Sequence, residues 1–199
     1  RLGYEEAEIR AALAKTYDHP LFVTKPASAD LEGYIYGETY QVSAGASVED
    51  ILTRTFDEYY KVLQANNLIE GFSKQGLTLY EGITLASIVQ RESGGDDKAQ
   101  IAQVFYLRLA QGMQLGSDVT YQYIADKDGM PRDTNYDSPY NTRRYTGLPP
   151  GPIASPGLAS LKAVAAPATG DYLFFLSGDD DITYFARTNA EHQANISAH

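Results

Sequence analysis

Between Thr78 and Gly112 lies the strongest constraint on how this chain can fold: two helix-forming stretches separated only by G-G-D-D at 94–97. Thr78 and Glu81 are spaced as a capping box, in which each side chain satisfies the other residue's backbone N–H. From there L-Y-E-G-I-T-L-A-S-I-V-Q-R-E-S reads as a helix stopped by Gly94 and Gly95. Asp97 with Gln100 opens a second helix, K-A-Q-I-A-Q-V-F-Y-L-R-L-A-Q, which ends at Gly112. Two helices joined by so short a turn fold back on each other as a tight helical hairpin.

The flanking segments supply smaller elements. Residues 4–17 read as a helix with acidic residues in its first turn and with Ile9, Ala12 and Leu13 at helical spacing; Pro20 and Pro26 then break the pattern. Residues 31–42 alternate so that Tyr34, Tyr36, Tyr40 and Val42 share one side, which predicts a strand or extended segment. Ser47 and Asp50 cap a helix whose inward stripe is Leu52, Phe56, Tyr59 and Leu63. Residues 126–157 are poor in aliphatics and rich in Gly, Pro, Asp, Asn and Tyr, the composition of a long functional or disordered loop. Ser155 and Pro156 predict the start of a short helix ending near Pro167. The aromatic segments Y-L-F-F-L-S and I-T-Y-F-A-R flank G-D-D-D as a hairpin, and Thr188 with Glu191 caps a last helix. Without βαβ alternation or internal repeats, the fold class is α+β: a helical hairpin packed with a small antiparallel sheet and a long ordered loop.

Composition excludes several functions. Among 199 residues there is no Cys, so no disulfide, thiol nucleophile or thiolate metal site is possible, and His19, His192 and His199 lack metal-ligand spacing; no metal or cofactor is expected. A net charge of −10 argues against nucleic acid and anionic membranes as general partners. No apolar run approaches the ~20 residues that span a bilayer. The chain opens on Arg1 rather than Met, which reads as an excised piece. No nucleophile elbow, Walker loop or dinucleotide fingerprint occurs, and G-G-D-D is better explained as the turn between helices than as a nucleotide-cyclising motif.

One carboxylate stands out on geometry. On the helix wheel Glu92 lies about 20° from Leu85, bracketed by Ile88 and Val89, whereas Gln90 and Arg91 point away. Burial and the negative end of the helix macrodipole both disfavour its ionised form, so a raised pKa and a neutral acid are expected. That state protonates a leaving group, as in glycoside cleavage. The plainer reading is that Glu92 pairs with a nearby Arg or caps neighbouring backbone. Asp118 is either a second catalytic carboxylate or, the preferred reading, the N-cap of the helix V-T-Y-Q-Y-I-A. In S-P-Y-N-T-R-R-Y-T-G-L-P-P-G-P-I, Tyr140 offers a ring for stacking, Asn141 and Thr142 offer hydrogen bonds, and Arg143 and Arg144 bring positive charge; alternatively the loop's tyrosines merely cover the core.

Taken together, L-E-G-Y-I-Y-G-E-T-Y (31–40), L-A-S-I-V-Q-R-E (85–92), V-F-Y-L-R-L-A-Q-G-M-Q-L-G-S-D (104–118), S-P-Y-N-T (138–142), G-L-P-P-G-P-I (147–153) and E-H (191–192) resemble the endolytic murein transglycosylases, the YceG-like or MltG family. The order and spacing agree from about Leu31 to the C-terminus. The resemblance implies cleavage of peptidoglycan glycan strands between N-acetylmuramic acid and N-acetylglucosamine, leaving 1,6-anhydromuramyl ends, with Glu92 acting as general acid and then base. It implies substrate contacts from Glu32, Ser117, Asp118, Thr120, Tyr140, Asn141 and Thr142. It further implies residues 1–30 as the tail of a LysM-like subdomain or a linker helix, residues 31–199 as the catalytic domain, and action on the outer face of the bacterial cytoplasmic membrane through an N-terminal anchor outside this chain. Cell-wall synthesis enzymes are implied as further partners. The chain departs from the pattern at Gly37 and Glu38 (commonly Pro-Asp), Gln90 (often Glu), Gly116 (Gln), Val119 (Pro) and Thr183 (His). Two alternatives stand beside this reading: a peptidoglycan-binding module without activity, and a hydrolysing muramidase using Glu92 and Asp118.

Overall fold

A computed structural model describes residues 3–180 and 182–199; Asp181, in the expected hairpin turn, lies outside them. Its elements are α1 (Glu6–Ala14), a 3₁₀ turn (Pro20–Phe22), α2 (Val48–Ala65), α3 (Leu68–Lys74), α4 (Leu79–Glu92), α5 (Lys98–Ala110), α6 (Asp118–Lys127), α7 (Leu158–Ala165), β1 (Phe174–Ser177), β2 (Thr183–Ala186) and α8 (Asn189–Ala198). The α+β class holds, as do the α4–α5 hairpin and the antiparallel β1–β2 pair, in register Phe174↔Ala186 to Ser177↔Thr183. Among the described residues no helix is long and apolar enough to cross a membrane.

The centre is α4. Its capping box at Thr78 and Glu81 forms as the spacing predicts, and nearly every later position is buried, with Ile83, Leu85, Ile88 and Val89 fully so. A helix apolar on all faces needs neighbours on all sides, and α3, α5, α6 and α7 supply them. Each fully buried aliphatic side chain contributes about 1.5–3 kcal/mol. The small polar residues on α4 hold their own backbone or the loop. Thr84 Oγ1 donates to the Tyr80 carbonyl (2.8 Å), and Ser87 Oγ accepts from the Ile153 backbone N–H (2.9 Å). Gln90 does not face solvent as the wheel suggests: its Oε1 accepts from Gly157 N and Ser160 Oγ, both at 2.9 Å, and so caps α7.

Other expectations are corrected. Residues 31–42 form no strand: Tyr34 and Tyr36 do face inward, but among the described residues no strand pairs with the segment. They fill the core instead, Tyr34 stacked on Tyr80 and Tyr36 on Tyr59. On α1 only Ala12 of the expected stripe is buried. The helix expected to open at Ser155 and Pro156 starts at Leu158, because Gln90 meets the chain at Gly157. The short helix α3 has no capping signature in sequence. It follows Asn67 in the left-handed region and is set by close approach to α7, where a Cβ on Gly71 would lie 2.6 Å from Ala165 Cβ. The long loop is ordered by side chains: Asn141 is buried, its Nδ2 donating to the carbonyls of Thr134 (2.9 Å) and Tyr136 (2.8 Å).

Gly82 on α4 lies against Phe72, whose ring atoms would be 2.5 Å from an added Cβ. Ala gains about 1 kcal/mol of helix propensity over Gly, but overpacking a tight core costs about 1–3 kcal/mol. Gly82→Ala is therefore expected to lower stability, read as a reduced denaturant midpoint; an unchanged or raised midpoint contradicts this packing.

Candidate active site

Glu92 is the last residue of α4, so the helix buried behind it fixes where its carboxyl emerges. It is half-buried in the wall of a cleft of about 370 Å³. Several elements converge there: Arg108 from α5, Leu115, Gly116 and Asp118 from the segment entering α6, Arg143 from the long loop, Phe175–Ser177 from β1, and His192 from α8. A larger cavity of about 470 Å³ at the other end of the hairpin, beside Tyr80 and Leu148, has Glu81 as its one carboxylate, and that group is engaged in the α4 capping box.

Ser117 Oγ donates a hydrogen bond to Glu92 Oε1. Ser117 is itself held rigidly. Its backbone N–H donates to Thr142 Oγ1 (3.2 Å), its carbonyl accepts from Thr120 Oγ1 (2.7 Å), and the two threonine hydroxyls meet at 2.9 Å. The Gly116 N–H donates to the Thr142 carbonyl (2.9 Å), closing the connection between loop and helix. The N-cap of α6 is thus Ser117, not Asp118 as the sequence suggests, and it makes no side-chain cap because its hydroxyl is turned to Glu92. Asp118, one residue inside the helix, pairs with Arg143 Nη1 at 2.5 Å on the rim of the cleft.

Burial pushes the Glu92 carboxyl above its ordinary pKa; the Ser117 hydrogen bond opposes this, the Asp118 charge adds to it, and Arg91 opposes it. The turn after Glu92 is equally fixed. Buried Lys98 donates from Nζ to the carbonyls of Ser93 (2.7 Å) and Gly95 (3.0 Å), a cation at the C-terminal end of α4. Asp97 is the N-cap of α5 by position, but its carboxylate accepts from Ser93 Oγ and Thr183 Oγ1, tying β2 to this turn.

The residues expected to contact substrate therefore separate into three groups. Ser117 and Asp118 stand at the cleft. Thr120, Asn141 and Thr142 are fully buried, and their hydrogen-bonding atoms face other protein groups, because a loop lying across α6 must satisfy its backbone internally. Tyr140 and Glu32 lie outside the cleft, grouped about Tyr123: the Tyr140 and Tyr123 rings are 5.4 Å apart, and Tyr123 Oη donates to Glu32 Oε2 at 3.4 Å. The sequence reading missed Arg108, His192 and Lys98 as parts of this region. Arg108 and His192 fall within quoted motifs, so their positions were visible but not their orientation. Among the described residues no three carboxylate, His or Cys side chains group as a metal site.

The model of the YceG-like family matches residues 2–198. The chain belongs to the YceG-like family. This YceG-like chain is 36% identical over 171 residues to the endolytic murein transglycosylase of Bacillus subtilis (strain 168), covering 81% of the chain and 46% of that protein. It is 31% identical over 189 residues to the endolytic murein transglycosylase of Streptococcus pneumoniae serotype 2 (strain D39), covering 85% of the chain and 32% of that protein. It thus spans less than half the length of these relatives. The crystal structure of a YceG-like protein from Listeria monocytogenes superposes with a TM-score of 0.72 at 32% identity, covering 94% of this chain and 61% of that one.

Because the folded pKa of Glu92 lies above its unfolded value, its contribution to stability is complete below the unfolded value and is lost as pH rises through the folded one. Glu92→Gln is neutral throughout. Its melting temperature is expected to gain on that of the unaltered chain as pH climbs from the ordinary carboxylate value of 4.5, by roughly 2–4 °C for each kcal/mol. A gap that stays constant with pH contradicts a desolvated Glu92.

Proposed function

We propose that this chain is the catalytic part of an endolytic lytic transglycosylase that cuts peptidoglycan glycan strands at the bond between N-acetylmuramic acid and N-acetylglucosamine. The observation that carries the reading is a single desolvated carboxyl, Glu92, at the wall of a cleft with one rigid hydroxyl donor beside it. Membership of the YceG-like family and the names of the relatives support the substrate class. In the proposed step, protonated Glu92 gives its proton to the glycosidic oxygen and the bond from that oxygen to the muramyl C1 breaks. The muramyl C6 hydroxyl oxygen bonds to C1, and its proton passes to the Glu92 carboxylate, which restores the acid. Water is not consumed, and the new end is a 1,6-anhydro ring.

Within this reading Ser117 orients Glu92, and Thr120, Thr142 and Asn141 position Ser117 and the loop instead of touching sugar. Asp118 shapes the cleft rim. Glu32 and Tyr140 are proposed as more distant contacts, which a polymer longer than the cleft requires. Residues 31–199 form the catalytic part and residues 1–30 the end of a preceding LysM-like subdomain or a linker. Action on the extracytoplasmic side and contact with cell-wall synthesis enzymes complete the proposal. The second reading, a hydrolysing muramidase, is favoured by one observation: Asp118 opens on the same cleft as Glu92.

Digestion of peptidoglycan followed by mass spectrometry separates these readings. Anhydromuramyl ends are expected; reducing ends would support the muramidase, and no products would leave a binding module. Glu92→Gln is expected to lower cleavage by about 10²–10⁴-fold, the usual worth of a general acid, and near-normal cleavage would remove Glu92 from the mechanism. The rate should fall as pH rises through the Glu92 pKa. Because the Ser117 hydrogen bond favours the carboxylate, Ser117→Ala should move that alkaline limb to higher pH; a shift to lower pH would contradict the assigned donor.

A further inference from the structure

Arg108 is the cation of the Glu92 cleft that no carboxylate faces among the described residues. Arg143, the other, is paired with Asp118. The Arg108 guanidinium is held at two of its three nitrogens. Nε donates to the Leu173 carbonyl (2.6 Å), and Nη1 donates to the carbonyls of Leu115 (2.6 Å) and Gln114 (3.4 Å). Its carbon lies 5.1 Å from the centroid of the Phe174 ring. The remaining nitrogen, Nη2, makes no hydrogen bond among the described residues, yet it is not among the enclosed polar atoms that lack one. The two N–H donors of Nη2 therefore have no protein partner among the described residues and are not sealed from solvent.

The surroundings preserve that arrangement. Gly116 has a positive φ of 66°, and a Cβ there would lie 2.8 Å from Arg108 Nη1, so a side chain at this position would make the guanidinium shift. His192 stacks on the same ring, its centroid 5.2 Å from that of Phe174 at an interplanar angle of 22°. Burial and the Arg108 charge hold His192 below its ordinary pKa, and burial and the Arg143 charge pull the Arg108 pKa down as well. A half-buried cation with carbonyl dipoles but no counter-charge is a site short of one negative group. In a protein of net charge −10 that is not a consequence of general composition.

We propose that Arg108, with His192 beside it, forms an anion subsite next to Glu92 that binds a carboxylate on the lactyl–peptide arm of the muramyl residue. The inference rests on the peptidoglycan reading and adds what the cleft recognises. The sugar rings and their acetamido groups are neutral, so carboxylates on that arm are the anionic groups the strand offers. The arm leaves C3 of the same ring whose C1 is attacked, which brings it within one sugar of Glu92. The carboxylate can be that of the lactyl group itself, exposed when the peptide is removed, or one carried by the peptide.

The test measures binding to the Glu92→Gln chain, which holds strands uncut, by isothermal titration calorimetry. Three short glycans of equal length are compared: peptide-bearing, peptide-stripped with free lactyl carboxylates, and stripped with those carboxylates converted to neutral amides. At least one charged strand should bind roughly tenfold tighter than the neutral one, the scale of a charge-assisted hydrogen bond, and which of the two does so identifies the source of the carboxylate. Adding Arg108→Gln should erase the difference, and Arg108→Lys should retain part of it. Equal binding of charged and neutral strands overturns the inference with no further variant needed, as does a difference that survives Arg108→Gln. If no strand binds and the unaltered chain cuts none, the peptidoglycan reading itself fails and takes this inference with it.

Discussion

A helix buried on almost every side, with a carboxyl as its last residue, is the constraint on which the rest of this structure depends. Ile83, Leu85, Ile88 and Val89 have no exposure, so α4 cannot shift or rotate without opening the core, and Glu92 inherits that fixity. The polar requirements of such a helix must also be met at its ends. Thr78 and Glu81 satisfy the first turn, and the Lys98 ammonium reaches the carbonyls that follow Glu92. Gln90, two residues before the end, gives its side-chain carbonyl to the start of α7. A Glu at that position would offer the same oxygens with a charge that suits a helix N-terminus.

The electrostatics of Glu92 follow from this placement, but not entirely by the route the helix wheel suggests. The macrodipole argument treats the last carbonyls of α4 as bare. A buried cation, Lys98, sits at the Ser93 and Gly95 carbonyls just beyond the last turn, and desolvation is the leading cause of the raised pKa, with Ser117 pulling the other way. The two effects are separable in structure. Desolvation comes from the packed helices and cannot be tuned locally, whereas the Ser117 donor is held by the threonine hydroxyls of α6 and the loop and could be altered without touching the core.

What was legible in the sequence was local or periodic. Capping boxes at Ser47 and Thr78, the α4–α5 turn, and the face on which Glu92 lies all depend on spacing within a few residues, and they form as spaced. What was not legible depends on what lies opposite. Alternation placed Tyr34 and Tyr36 inward, yet it carried no information about whether a second strand would pair with them. Small polar residues read alike whether they face a ligand or a neighbouring backbone, so Thr120, Asn141 and Thr142 could be picked out by motif while their orientation could not. The same limit hid Arg108: one Arg on an apolar helix gives no sign that its anchors are the carbonyls of Leu115 and Leu173, 7 and 65 residues away.

Charge at the cleft also has to be tolerated by the fold. A desolvated carboxyl and a guanidinium without a salt bridge among the described residues both carry a desolvation cost, and Glu92 from α4 and Arg108 from α5 line the same cleft. Burial shifts the carboxyl towards its neutral form, and the guanidinium limits its cost through its three carbonyl acceptors and the Phe174 ring. Neither group leans on the other: the charges that move Glu92 are those of Asp118 and Arg91, and the charge that moves Arg108 is that of Arg143. An ion pair between them would relieve both penalties, but it would favour the carboxylate form of Glu92. Ser117, a neutral donor, is the group hydrogen-bonded to Glu92, so the carboxyl keeps a raised pKa that a cation in that place would lower further.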